Sequence, residues 1–201
     1  MESIAINGTA RAAIGKKATK AIRKAGLVPC VIYGGENNVH FTAPVNEFRH
    51  LVYTPDFKLA EITVDGNSYK CILKDLQFHP VTDDLMHLDF LLLVDGHSIN
   101  LELPVRFRGT APGTKEGGKL MQKLRRVKIK TTPEHLVDEL LVDISSLELG
   151  QSIRVRDIEH NEGIEIVSAG GTPVGSVEVP RALRSATAAI EDGEEAAGDE
   201  E

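Results

Sequence analysis

Tryptophan is missing from this sequence, aromatic residues make up only 4% of it, and there are two cysteines. Each shortage removes a class of protein. Cys30 and Cys71 lie far apart, each inside an apolar or strand-like stretch, so they are expected to be buried free thiols and not a disulfide or a metal pair. No apolar run approaches the roughly eighteen residues that a spanning helix needs, and the longest, Leu88 to Val94, is broken at Asp89. No membrane role is expected. The first residues, Met1-Glu2-Ser3-Ile4, carry acid where a secretory signal carries base, and no apolar segment follows them, so the expected location is the cytoplasm. No Gly-x-Ser-x-Gly, His-Glu-x-x-His or Cys/His pairing occurs, which leaves nucleophilic and metal catalysis without residues to carry them. What is present is 41% hydrophobic residues in a chain of 201, enough for one large core or two modest ones.

The net charge of -7 argues at first sight against a nucleic-acid partner. Its distribution reverses that inference. Residues 1–94 hold 10 Lys/Arg and 10 Asp/Glu, residues 95–185 hold 13 of each, and residues 186–201 hold 7 acids and no base. From Ser3 to Gly35 there is no acid at all, against Arg11, Lys16, Lys17, Lys20, Arg23 and Lys24, a local charge of +6. A basic surface is usually just solvated, but solubility alone would mix the signs. A phosphate-binding surface must avoid acids, because each one repels the backbone it meets.

Along the chain, Ser3 to Arg11 reads as a strand, and Lys16 to Ala25 as a short amphipathic helix ended by Gly26. Its apolar stripe would be Ala18, Ala21, Ile22 and Ala25, with Lys17, Lys20 and Lys24 outward. Strands are predicted for Val28 to Tyr33 and Val39 to Thr42, and Asn46 is placed to cap a short helix through Val52. Lys58 to Val64 and Tyr69 to Leu76 flank Asp65-Gly66-Asn67, a hairpin signal, and Leu85 to Val94 forms a further strand. Short strands without βαβ alternation point to a small barrel-like β domain over residues 1–94. Asp95-Gly96-His97 marks the boundary of a second, β-rich domain over residues 95–185, with strands at Ile99 to Phe107, Leu120 to Lys130, Leu140 to Ile144, Ile153 to Val155, Ile164 to Val167 and Val174 to Val179. Ser145 would cap a single helical turn ending at Gly150. The alternation of Ala, Gly and acid over residues 186–201 predicts a disordered acidic tail.

Two constellations invite a catalytic reading. Residues 113–119 fit the GxxxxGK half of a phosphate loop, but Leu120 stands where the motif needs Ser or Thr for magnesium, and a strand pattern follows where it needs a helix. A flexible glycine loop is the expectation. His79, His87 and Asp89 have the residue types of a zinc or iron site, and with zinc they would make the protein a zinc hydrolase. However, His79 precedes Pro80 in a turn and no fourth ligand or general base is apparent, so ordinary polar residues on an exposed sheet face are expected.

The order of residues then becomes informative. Arg11-x-x-x-Gly15-Lys16, Ile22-Arg23-Lys24-Ala25-Gly26-x-Val28-Pro29-x-Val31-Ile32-Tyr33-Gly34-Gly35, Lys74-Asp75-Leu76-Gln77-x-His79-Pro80 and His87-x-Asp89-Phe90 together resemble the bacterial large-subunit ribosomal proteins that bind 5S rRNA. The second domain, with Gly109-Thr110-Ala111-Pro112-Gly113 and Leu149-Gly150-Gln151-Ser152-Ile153, is similar to the β-rich extension of the long form, the CTC general stress or TL-type proteins. The resemblance implies a six-stranded β-barrel docked on the minor groove of an irregularly paired internal loop of 5S rRNA, where shape and a few polar probes carry recognition. Arg11, Lys16, Lys20 and Arg23 would meet phosphates, with Lys17 and Lys24 on the same surface. Tyr33 would offer a ring and a hydroxyl. Gln77, His79, His87 and Asp89 would read sugar and base edges, Asp89 either accepting from base amino groups and 2′-hydroxyls or orienting Arg11. Lys20 stands where many relatives have Arg, which keeps the charge and weakens a bidentate contact. The implied partners are 5S rRNA, the large subunit with its neighbouring ribosomal proteins, and no membrane. The protein would be a monomer off the ribosome, with no cofactor or metal. The competing reading is a stress-linked adaptor whose second domain recruits a protein while the first tethers it to RNA.

Overall fold

The computed structural model describes residues 2–35, 37–159 and 163–180, so the predicted acidic tail lies outside the described residues. These divide into two compact units, one of residues 2–104, 130–139 and 163–165, the other of residues 105–129, 140–159 and 166–180. The architecture is mainly β in both.

The first unit runs β1 (Ser3–Ala10), α1 (Lys16–Lys24), β2 (Leu27–Tyr33), β3 (Val39–Pro44), a 3-10 turn (Val45–Phe48) leading into α2 (Arg49–Val52), β4 (Leu59–Val64), β5 (Asn67–Phe78) and β6 (Leu85–Leu92). The six strands close into a barrel in the order β1-β3-β2-β6-β5-β4. Two of its seams, β1 with β4 and β2 with β6, are parallel. Closure removes every free sheet edge. Inward positions put Ile6, Val28, Cys30, Ile32, Phe41, Ala60, Ile62, Cys71, Leu88 and Phe90 in one core, and the outward positions between them are left for polar groups. Phe90 is fully buried, with its ring centroid 6.0 Å from that of Phe41 and 6.2 Å from that of Phe48. Both cysteines are free and buried. Desolvation holds both thiols well above their usual range, Cys71 at about 12.

The β4–β5 hairpin forms where Asp-Gly predicts it. Val64 pairs with Asn67, and the two loop residues Asp65 and Gly66 have φ of 48° and 90°, the mirror-image turn whose twist matches the flanking strands. Other local expectations give way to packing. In α1 the half-buried side is Ala18, Thr19, Ile22 and Arg23, while Ala21 and Ala25 are exposed. The helix lies on β2 without burying any residue completely, so a stripe of small residues does not decide which side docks. Asn46 is no cap: it sits inside the 3-10 turn, which starts after Pro44 and has no side-chain cap.

In the remainder, β7 (Ile99–Arg108), α3 (Pro112–Lys115), β8 (Lys119–Gln122), β9 (Arg126–Thr131), β10 (Leu140–Asp143), β11 (Ser152–Arg154), β12 (Ile164–Ile166) and β13 (Pro173–Glu178) form two sheets, ordered β10-β7-β9-β12 and β11-β13-β8. The single strand expected over Leu120 to Lys130 is therefore two, assigned to different sheets. The chain breaks where the amides of Lys123 and Leu124 both donate to the carbonyl of Val174. The expected turn of helix after Ser145 is also absent. Asp143 instead accepts the Ser145 amide at 2.8 Å and closes a turn, and the Ser145 hydrogen bonds hold the Asp143 carboxyl below its usual range. The glycine loop at 113–119 is packed at Gly113, which is buried. A Cβ on Gly113 would come within 2.6 Å of the Glu148 carbonyl carbon. The amides of Gly113, Gly117 and Gly118 donate to Leu147, Thr114 and Gly113, so they do not cradle a phosphate.

Candidate nucleic-acid interface

Strand register decides which polar side chains meet. Val31 in β2 pairs with His40 of β3 on one side and with Asp89 of β6 on the other, and Asp89 pairs with Asp75 of β5. One turn of the pleat away, His87 pairs with Gln77. On the other side of that row, Tyr33 pairs with Leu91. The neighbours Cys30, Ile32, Leu88 and Phe90 all face the core, so Tyr33, Asp89, His87 and Gln77 share the outer face of β2-β6-β5. The structure thus brings together four residues that are dispersed in sequence.

Within this face His87 Nδ1 lies 2.6 Å from the Asp89 carboxylate, both side chains being on the same side of β6. Asp89 is therefore engaged by His87 within its own strand. The Tyr33 phenol is pushed above its ordinary range by burial first, then by the negative charges of Asp89 and Asp75. It accordingly stays a neutral hydrogen-bond donor.

Arg11 follows β1 directly, and its amide donates to the His40 carbonyl at 2.9 Å. Its charge acts on the Cys30 thiol of β2, opposing the rise that burial causes. Nε and Nη1 are enclosed and have no hydrogen-bond partner among the described residues. A buried donor left unpaired carries a desolvation cost of about 1–3 kcal/mol, so Arg11 is poised to gain from an acceptor. Arg23 reaches from α1 to the carbonyl of Met86 through Nε at 3.1 Å, which anchors the helix one residue before His87. Lys16, Lys17, Lys20 and Lys24 are exposed on α1. Lys16 and Lys17 open a helix whose first turn has no acid, the end where the macrodipole already concentrates positive charge. The segment thus keeps its lysines against its own helical preference.

His79 stands apart. It follows β5 in a tight loop in which its Nδ1 accepts the Thr82 amide at 3.2 Å and its own amide donates to the Asp84 carbonyl. That nitrogen is used up in shaping the turn. Among the described residues no group of three or more His, Cys, Asp or Glu side chains could hold a metal ion. His40 and Asp75 are members of the face that sequence reasoning left out. The outward phase of each strand was readable, but their adjacency to Val31 and Asp89 depends on the pairings.

Comparison with known proteins bears directly on this arrangement. The ribosomal L25p family matches residues 6–90, and the C-terminal domain of ribosomal protein TL5 matches residues 98–181. The large ribosomal subunit protein bL25 of Cytophaga hutchinsonii is 42% identical over 94% of this chain and 98% of its own length. That of Phocaeicola vulgatus is also 42% identical, over 94% of this chain and 98% of its own. That of Porphyromonas gingivalis is 43% identical, over 92% of this chain and 97% of its own.

Proposed function

We propose, since the chain belongs to the ribosomal L25p family, that it is a structural constituent of the large ribosomal subunit which binds 5S rRNA in the central protuberance through residues 1–94. A ribosomal protein of this kind is not an enzyme. Its work is to hold an RNA in place in the cytoplasm, and off the ribosome it is a monomer.

The observation that carries the reading is that Tyr33, Asp89, His87 and Gln77 share one outer barrel face, with the acid-free basic segment anchored at its border through Arg23 and Met86. The two parts suit two components of RNA binding. Exposed lysines supply phosphate neutralisation, which is strong, long-ranged and indifferent to sequence. The sheet face supplies a phenol, an amide and a carboxylate on a rigid support. These can hydrogen-bond to 2′-hydroxyls and base edges in a wide, shallow RNA minor groove. A carboxylate facing RNA is tolerable where it accepts from a base amino group, and the His87 imidazole beside it limits its repulsion of phosphates.

A gel-shift titration of the full chain against 5S rRNA and a control RNA of the same length, repeated across a salt series, tests this. The expected result is tight binding to 5S rRNA with a preference over the control RNA that persists as salt is raised. Equal, steeply salt-dependent binding to both RNAs would leave only a basic patch and defeat the reading.

A further inference from the structure

Asp75 and Gln77 point outward only because β5 contains one residue more than β6 can pair. Leu73 stands opposite Phe90, Lys74 has no partner, and pairing resumes with Asp75 on Asp89, Leu76 on Leu88 and Gln77 on His87. In an unbroken ladder Lys74 would take the place opposite Asp89. Asp75 and Gln77 would then turn into the barrel and Leu76 out of it, since a slip of one residue reverses every side chain beyond it. Leu73 and Leu76, three apart, both pack against the barrel core, an arrangement that only the bulge permits.

The bulged residue is held from outside the barrel. Lys74 Nζ donates to the main-chain carbonyl of Asn100, near the start of β7, at 2.6 Å. The first compact unit runs on through residue 104, so this tie is internal to it. A charged donor makes the stronger kind of hydrogen bond, and the acceptor is fixed in a strand. We infer that Lys74 is a positioning residue: its bond to Asn100 braces the bulge that sets Asp75 and Gln77 in register with Asp89 and His87. The beginning of β7 is thereby part of the RNA-binding unit. The inference rests on the proposed function, but it assigns Lys74 a role opposite to that of the lysines on α1, because its ammonium is spent on the protein and not on phosphate.

The test is Lys74→Met in the full chain, with Lys74→Arg as the conservative variant. Two readouts are taken: 5S rRNA affinity across a salt series, and amide hydrogen exchange of residues 75–78 in the free protein. With Lys74→Met, exchange over 75–78 speeds up, and affinity falls about threefold to tenfold, as expected for one lost hydrogen bond. The salt slope stays unchanged, and Lys74→Arg restores both. Unchanged exchange overturns the inference, and a salt slope lower by about one marks Lys74 as a phosphate contact instead. Should the wild-type chain show no preference for 5S rRNA, the functional reading fails, while exchange in the free protein still decides whether Lys74 braces the bulge.

Discussion

The basic helix and the sheet face it borders are built on opposite principles. α1 buries no residue completely, opens with two lysines where its dipole disfavours them, and is fastened by Arg23 to one carbonyl of β6. The outer face of β2-β6-β5 is the back of a core centred on Phe90, Leu88, Ile32 and Cys30, so its side chains stand wherever the pleat puts them. Charge acts over a Debye length and tolerates a loosely held support. Hydrogen-bond readout of a groove requires placement to within a fraction of an ångström. On the proposed reading, the exposed charge supplies affinity and the sheet supplies selectivity.

The strongest way to break this comparison is to remove the support of the sheet. Phe90→Ala empties a fully buried ring position between Phe41 and Phe48 and should cost about 3–5 kcal/mol of stability, read by denaturant unfolding. RNA binding that survives should be unselective and steep in salt, because the charges of Ser3 to Gly35 persist without the face. Retained 5S selectivity would show that the helix carries recognition.

Next in size are the probes of the face and its edge. Tyr33→Ala and Arg11→Ala should each weaken 5S rRNA binding by roughly 1–3 kcal/mol, measured by the same titration, with little loss for control RNA in the first case. For Arg11 the substitution also removes two enclosed nitrogens that have no partner among the described residues. The free protein should therefore lose less stability than a buried guanidinium normally carries. Unchanged affinity in both variants would remove the face from the site.

Lys17→Ala should have a smaller and contrary pair of effects. Losing a base from the first turn of α1 should stabilise the helix by about 0.3 kcal/mol, while binding weakens for all RNAs alike and the salt slope drops by about one. A selective loss for 5S rRNA would mean that α1 also reads structure.

The same contrast explains what could be foreseen from the residues. Composition alone locates the basic segment, because acids are absent from it. The Asp65-Gly66 turn is legible because its φ values demand such residues. The face was only half legible. The phase of each strand shows which residues point outward, but barrel closure depends on two parallel seams between strands distant in sequence, which no local pattern encodes. That is why His40 and Asp75 were overlooked. Breaks in phase were visible without being interpretable: Leu73 to Leu76 signals the β5 bulge, and Leu124 to Val127 signals the change of sheet between β8 and β9. In both cases the spacing of apolar residues shifts from even to odd. Ser145 and Asn46 failed as caps because turn chemistry from Asp143 and Pro44 acted first.

The finest probe of the comparison is the titration of Tyr33. Its phenol is held above the ordinary range by burial, then by Asp89, then by Asp75, and negative neighbours oppose formation of a phenolate. Neutralising them must therefore let the phenol ionise at lower pH. The shift should be larger for Asp89→Asn than for Asp75→Asn, and some elevation should remain in the double variant because burial is unchanged. Ultraviolet absorbance titration of each variant, referenced to the same background carrying Tyr33→Phe, separates Tyr33 from Tyr53 and Tyr69. Lys17→Ala should leave this titration where it was, since an exposed lysine on α1 is screened by solvent. If it instead moves Tyr33 as far as Asp89→Asn does, helix and sheet share one electrostatic field, and charge and readout are not separable in this protein. If it does not, Tyr33 remains a neutral donor throughout the physiological range under the control of its own sheet, as selective hydrogen bonding to a groove requires.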